Sequence, residues 1–210
     1  TDDYHLTIID NSSGHLKELD KYRGRDTITI YENNINLGKG RAIMQRYNDI
    51  MSEDNNDYFV SIDGDICVSD RWLQRLKAAC SKISDCAIMA PIIMNMPGQY
   101  FNYQMEHGLI MHNTSNMRHE IDEVYYNRYT AGPLLFINKM FFESVGGYSQ
   151  DQLYGNDDGE LCKAAHMLDK FIGLASNVHV IHSSLDDTVG YRQWKHQNVA
   201  NKDKIAGYWD

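Results

Sequence analysis

The stretch Tyr58-Phe59-Val60-Ser61-Ile62-Asp63-Gly64-Asp65 joins an apolar, β-branched run to two carboxylates that a single glycine separates. The run predicts a buried strand, with the carboxylates at its carboxyl end, the edge at which open α/β sheets bind ligands. Two aspartates at this spacing can approach one hard divalent cation, which can carry the phosphates of a nucleotide. The alternative is a simple strand-to-turn junction, in which aspartate favours the turn and Gly64 relieves it.

Composition limits the classes of protein to consider. The chain has 210 residues and 42% hydrophobic residues, which fits one domain with a real core, or a domain with a small appendage. Its net charge of −9 argues against a nucleic-acid-binding surface. Four scattered cysteines without a C-x-x-C pair indicate a reduced, cytoplasmic compartment. No apolar run reaches the ~18 residues of a membrane-spanning helix, so we expect no integral membrane segment.

Strand and helix patterns alternate along the chain and predict an α/β sheet of largely parallel order. Residues 94–130 show no lasting periodicity, and we expect an irregular insertion there with a functional role. The predicted strands are 6–10, 27–31, 58–63, 86–93, 134–137 and 176–182, and the predicted helices are 15–23, 40–53, 70–83, 139–145 and 158–170.

Two earlier segments carry candidate nucleotide contacts. Asp10 ends the first predicted strand, where it can accept from a base or a ribose, or merely cap the loop. The loop Asn36–Arg41 is rich in turn formers and opens a helix. Its glycines, Gly38 among them, allow a close backbone approach to a nucleotide, and Arg41 can meet the base or the phosphates. The loop lacks the lysine-then-hydroxyl ending of a P-loop.

Acidic residues and a histidine follow later in the chain. Asp157 and Asp158 open the last predicted helix, together with Glu160. Complementing the helix dipole explains one or two of these acids, and a carboxylate here can instead take a proton from an attacking hydroxyl. His179 and His182 are three residues apart and so point to opposite faces of a strand. His182 lies at the carboxyl end and is the candidate metal ligand, although a core histidine is the alternative.

Taken together and in this order, the motifs resemble those of the GT-A nucleotide-sugar glycosyltransferases, chiefly glycosyltransferase family 2. The resemblance spans about residues 6–184 and implies a GT-A fold, a Rossmann-like, mostly parallel sheet flanked by helices. The matching elements are Ile8–Ser13, Asn36–Ala42, Asp63-Gly64-Asp65, the small-residue strand from Ala131-Gly132-Pro133 to the Gly146-Gly147-Tyr148 turn, Asp157–Leu161 and His182.

The resemblance implies transfer of a sugar from a nucleoside diphosphate donor, a UDP-sugar, to an acceptor hydroxyl. It assigns Asp10 to the base or ribose, and Asp63 to the ribose or sugar with metal binding as a second role. Asp65 would bind Mn²⁺ or Mg²⁺, and His182 would complete the metal shell. Asp158 would be the general base, and attack opposite the diphosphate would invert the anomeric carbon.

Several alternatives accompany this assignment. Retaining transferases share the fold and similar motifs. Asp157 replaces the commoner glutamate and is the next candidate base. A non-catalytic nucleotide-sugar or carbohydrate-binding domain would be expected to lose Asp65 or the acidic pair, and the chain keeps both. A sugar-1-phosphate nucleotidyltransferase would carry its glycine-rich loop directly after the first strand, whereas Gly38–Arg41 follows a later one.

We expect a catalytic domain over residues 1–184, with the 94–130 insertion on the acceptor side and the 185–210 tail as a lid. Arg192 in that tail can pair with a phosphate. The family usually has one more strand before the strand of Asp10, and we expect the native chain to carry residues ahead of Thr1. The acceptor is open: a glycan, a lipid-linked sugar, a protein or a modified nucleic acid.

Overall fold

Strands and helices alternate in the first half of the chain, as the sequence predicts. The computed structural model describes residues 4–12, 14, 16–51, 56–95, 104–106, 109–111, 120–121, 124–127, 129–150, 153, 155 and 157–183. The strands are β1 (Leu6–Asp10), β2 (Ile28–Glu32), β3 (Tyr58–Ile62), β4 (Ile66–Val68), β5 (Cys86–Asn95), β6 (Gln104–Glu106), β7 (Leu109–Met111), β8 (Glu120–Ile121), β9 (Val124–Tyr126), β10 (Leu134–Asn138) and β11 (Phe171–His182). The helices are α1 (Leu16–Leu19), followed by a 3-10 turn at Asp20–Tyr22, α2 (Lys39–Ile50), α3 (Trp72–Ser81), α4 (Lys139–Ser144) and α5 (Asp157–Met167).

The main sheet has the order β3-β10-β5-β11-β9-β8, and β4 pairs with β11. The α/β class is confirmed. β1 pairs with β2, and β5 with β11, in parallel, whereas β10 runs antiparallel to both β3 and β5. The chain reaches β10 through short strands rather than a crossover helix, so parallel pairing is not imposed on it. β3, β5 and β11 therefore share one direction, and β3 and β11 end at the same edge of the sheet.

Alternating side chains on β10 show how the two layers of helices cover this sheet. Leu135 and Ile137 pack into one apolar cluster with residues of α2, α4 and α5. Leu134 and Phe136 face the other way and pack against α3. Because both faces are covered, the strand is an uninterrupted apolar run. Both faces of the sheet are thus packed against helices, and the site lies at its edge.

Several element bounds differ from the prediction, most of all around the start of β11. The last helix ends at Met167, and β11 begins at Phe171 rather than Ser176. β11 has register shifts between Ala175 and His179, which interrupt the two-residue period by which a strand is recognised. The segment 94–130, predicted as irregular, contains the short strands β6 to β9. No helix in the described ranges combines the length and the apolar character needed to cross a bilayer.

Candidate active site

Three metal-ligating side chains meet where β3 and β11 end. One ligand atom from each of Asp63, Asp65 and His182 lies within 4.8 Å of the others, and His182 Nε2 is 3.2 Å from Asp65 Oδ2. The backbone fixes this arrangement, because Ser183 N donates to the Asp65 carbonyl oxygen over 2.9 Å. Two carboxylates and an imidazole are a donor set suited to a divalent first-row cation such as Mn²⁺, so the residues present fit a metal site.

The two histidines of β11 have different surroundings. His182 is half-buried in the cluster with the two aspartates, whereas His179 is exposed. Their separation of three residues sends the side chains to opposite faces of the strand. This places the predicted metal ligand beside Asp65 and leaves His179 outside the cluster.

Lys39 is the site residue that the sequence interpretation missed. Its Nζ lies 2.7 Å from Asp63 Oδ1 and 2.8 Å from the Gly132 carbonyl oxygen. Burial lowers the pKa of the Lys39 ammonium, but the nearby negative charges, Asp63 foremost, outweigh burial and leave the pKa raised. Lys39 is therefore a fixed cation within the acidic cluster. Its position between Gly38 and Gly40 was the available signal, but this loop was interpreted only through its glycines, as a place where the backbone can approach a nucleotide.

Asp158 lies in the first turn of α5, where the neighbouring backbone holds its carboxylate. Its Oδ2 accepts from Tyr129 Oη at 2.9 Å and from Gly132 N at 2.8 Å, and its Oδ1 accepts from Gly159 N at 2.8 Å. Burial, and then the charge of Asp157, raise the pKa of the Asp158 carboxyl. The hydrogen bonds from Tyr129 and Gly159 oppose this rise.

Gly132 links Asp158 to the cluster of Asp63, Asp65 and His182 through Lys39. Its carbonyl oxygen binds Lys39 and its N–H binds Asp158. A Cβ at this position would lie 3.0 Å from the Asp158 Cβ, tighter than an ordinary van der Waals contact, so a larger residue would press on that side chain. A continuous chain of contacts thus runs from Asp63 through Lys39 and Gly132 to Asp158 and Tyr129. Asp157 is half-buried beside Asp158, and its charge acts on both Lys39 and Asp63.

The loops after β1 and β2 are joined by an asparagine network. Asn11 Nδ2 donates to Asn36 Oδ1 at 2.9 Å, and Asn11 Oδ1 accepts from Leu37 N at 3.0 Å. Asn36 Oδ1 also accepts from Gly38 N, and Gly38 has a φ of 81°, which glycine adopts without strain. Asp10 ends β1 with only 8% of its surface exposed. Asn36 and Gly38 therefore shape the loop that opens α2.

Arg41 and Gly40 contact protein backbone. Arg41 was expected to meet the base or phosphates, but its Nε donates to the Gln150 carbonyl oxygen at 3.0 Å. A Cβ on Gly40 would overlap the Ser149 carbonyl oxygen. Ser149 therefore occupies the space on the side where a Gly40 side chain would lie. Arg192 and the rest of the tail lie outside the described residues.

Two solved structures share the fold of this chain. The structure aligns with that of GalNAc-T7 bound to UDP, GalNAc and Mn²⁺, with a TM-score of 0.66, 19% identity, and coverage of 85% of this chain and 37% of that one. It also aligns with the mannosyltransferase PcManGT from Pyrobaculum calidifontis bound to GDP-Man and Mn²⁺, with a TM-score of 0.56, 13% identity, and coverage of 90% and 50%. This is the GT-A fold of nucleotide-sugar glycosyltransferases.

The family follows from sequence. The model of glycosyl transferase family 2 matches residues 1–145, and the chain belongs to that family. The predicted resemblance is confirmed. The match ends before α5, so it does not include the acidic pair or His182. No curated protein sequence matches the chain. The chain spans between about a third and a half of the length of the two solved structures.

Proposed function

We propose that the protein is a metal-dependent glycosyltransferase that moves a sugar from a nucleoside diphosphate donor, a UDP-sugar, to an acceptor hydroxyl with inversion. The observation that carries this proposal is the continuous contact chain from the Asp63, Asp65 and His182 cluster to Asp158. A cation site and a carboxylate base are the two charged parts that such a displacement needs, one for the leaving group and one for the nucleophile. The fold and the family add independent support.

Asp65 and His182 would hold Mn²⁺ or Mg²⁺, with Asp63 as a third candidate ligand. A bound divalent ion supplies Lewis-acid neutralisation of the leaving diphosphate. Asp63 lies beside this pair, and its proposed role is a contact to the ribose or sugar of the donor. The other proposed donor contacts are Asp10 for the base or ribose, the Asn36–Gly38 loop and Arg41 for the nucleotide, and Arg192 for a phosphate.

Asp158 is the proposed general base. Its Oδ2 is used by Tyr129 and Gly132, while Oδ1 accepts one hydrogen bond among the described residues. Since each carboxylate oxygen offers about two acceptor sites, Oδ1 can also accept the proton of an acceptor hydroxyl. Its raised pKa makes the carboxylate a stronger base near neutral pH. Asp157 is the second candidate, and separate substitution of each residue distinguishes them.

We also propose that residues 1–184 form the catalytic domain, with the 94–130 insertion on the acceptor side and the tail as a lid. The transferred group is a hexose or a pentose. The acceptor is a glycan, a lipid-linked sugar, a protein or a modified nucleic acid.

Thermal-shift measurements with a panel of UDP-sugars and GDP-sugars, each with Mn²⁺ or with EDTA, test this proposal. One donor should raise the melting temperature only when Mn²⁺ is present, because a ligand that binds only the folded state stabilises it by mass action. Asp65→Ala should abolish the gain. Asp85→Ala is the matched control, because it removes another exposed carboxylate, one that pairs with Lys170.

Equal stabilisation by the donor with EDTA, or in the Asp65→Ala protein, would contradict the metal role. Metal-dependent binding without any release of nucleoside diphosphate would favour the non-catalytic binding domain instead.

A further inference from the structure

We propose that Lys39 is a positioning residue that assigns Asp63 and Asp65 to different tasks. It binds Asp63 and so leaves Asp65 and His182 as the pair that holds the cation. This inference rests on the proposed function, and it identifies which of the clustered carboxylates is a metal ligand.

The contacts of Lys39 are specific. An ammonium group offers three donors, and two of them are used within 2.8 Å, by Asp63 Oδ1 and by the Gly132 carbonyl oxygen. Lys39 is the first residue of α2. Of its two acceptors, Asp63 follows β3 and Gly132 precedes β10. The ammonium therefore joins three segments of the chain at one point, which a solvated surface lysine does not do.

A carboxylate held by a cation is a poorer ligand for a second cation. Metal binding through Asp63 would place a divalent ion next to the Lys39 ammonium, and the two positive charges would repel each other. Asp65 instead lies 3.2 Å from His182 Nε2 and is 48% exposed, so a cation can reach it. The positive charge of Lys39 thus favours a cation position on the side of Asp65 and His182.

The same contacts connect Asp63, in the proposed metal site, to Asp158, the proposed general base. Lys39 and Asp158 bind opposite ends of Gly132, one at its carbonyl oxygen and the other at its N–H. A change at Lys39 therefore acts on Asp63 directly and on Asp158 through this residue. We expect removal of Lys39 to redirect Asp63 towards the cation, which strengthens metal binding while it weakens catalysis.

Titration with Mn²⁺ alone, followed by the electron paramagnetic resonance signal of the unbound ion, tests the inference. In the Lys39→Met protein, affinity for Mn²⁺ should rise at least about tenfold, because a repelling charge is lost and Asp63 is released. In the double variant Lys39→Met with Asp63→Asn, both charges are gone and affinity should return to within about threefold of the wild type. Lys39→Arg, which keeps the charge, should bind Mn²⁺ like the wild type.

Two further variants calibrate the titration. Asp65→Ala should weaken Mn²⁺ binding by at least about tenfold, as expected for a direct ligand. Lys170→Met breaks another lysine–aspartate pair, at the opposite end of β11 from His182, and should leave Mn²⁺ affinity unchanged. Melting temperatures of all variants, with and without Mn²⁺, show that each one folds.

The inference is overturned if the affinity of the Lys39→Met protein for Mn²⁺ is unchanged or weaker than that of the wild type. It is also overturned if the double variant binds Mn²⁺ as poorly as Asp65→Ala, because Asp63 would then be a ligand in the wild type. Failure of the wild type itself to bind Mn²⁺ would instead reject the proposed metal-dependent function, and this inference with it.

Discussion

Tyr129 tunes the proposed base, and its removal should shift the pH dependence of the reaction. Its hydroxyl donates to Asp158 Oδ2 at 2.9 Å and thereby favours the charged carboxylate. Burial, followed by the Asp158 charge, raises the pKa of Tyr129, so the hydroxyl remains a donor throughout a neutral pH range. Tyr129→Phe keeps the ring and deletes this hydrogen bond.

The size of the shift follows from the value of that bond. A hydrogen bond to a charged group contributes about 1.5–3 kcal/mol, and one pKa unit corresponds to about 1.4 kcal/mol. Gly132 N and Gly159 N still donate in the variant, which limits the change. We therefore expect the pKa of Asp158 to rise by about one unit. A base with a higher pKa becomes protonated at a higher pH. As the pH is lowered, the variant should therefore lose activity earlier than the wild type.

The assay is the pH profile of kcat/KM for release of nucleoside diphosphate, measured at saturating Mn²⁺ with water as the acceptor. The acid limb should move up by about one unit in Tyr129→Phe, and the rate above that limb should be retained. Tyr126→Phe is the control, because its ring packs instead against Phe171 and His166. Asp157 and Lys39 also act on Asp158, and both are unchanged in the two variants. An unmoved limb, or one at lower pH, would refute this account of Asp158.

Three further changes test other parts of the structure. Asp158→Asn should retain donor binding in thermal-shift measurements but lose transfer, because an amide cannot take the proton of the acceptor hydroxyl. Gly40→Ala should destabilise the fold by about 1–3 kcal/mol in denaturant titrations, because the new methyl group meets the Ser149 carbonyl oxygen. Gly64→Ala should change stability by less than about 0.5 kcal/mol, because a Cβ there meets nothing within 4 Å.

The sequence predicted the edge of the sheet where the candidate site lies. The apolar run of β3 ends in Asp63 and Asp65, and β11 ends in His182, so strands of one direction bring these residues together. The three-residue separation indicated that only one of His179 and His182 faces the site, and the place of His182 at the carboxyl end of the strand favoured that residue. These inferences needed only local pattern and strand direction.

The contacts that organise the site were beyond such reasoning. Lys39 lies 24 residues from Asp63 and 93 residues from Gly132 in the chain, and Tyr129 lies 29 residues from Asp158. The contacts of Gly132 and Tyr129 depend on where β10 begins, because both residues precede it, and β10 runs against the predicted direction. The start of β11 was missed for a related reason, since an irregular register disrupts the alternation that marks a strand.

The most direct test of the central claim is metal-dependent release of nucleoside diphosphate from nucleotide sugars. We compare the wild type, Asp65→Ala and Asp158→Asn, each with Mn²⁺ and with EDTA. The wild type should release diphosphate from one donor only with Mn²⁺, Asp65→Ala should neither bind nor release, and Asp158→Asn should bind without release. Release that persists in EDTA and in Asp65→Ala, or a wild type that acts on no nucleotide sugar, would contradict the account.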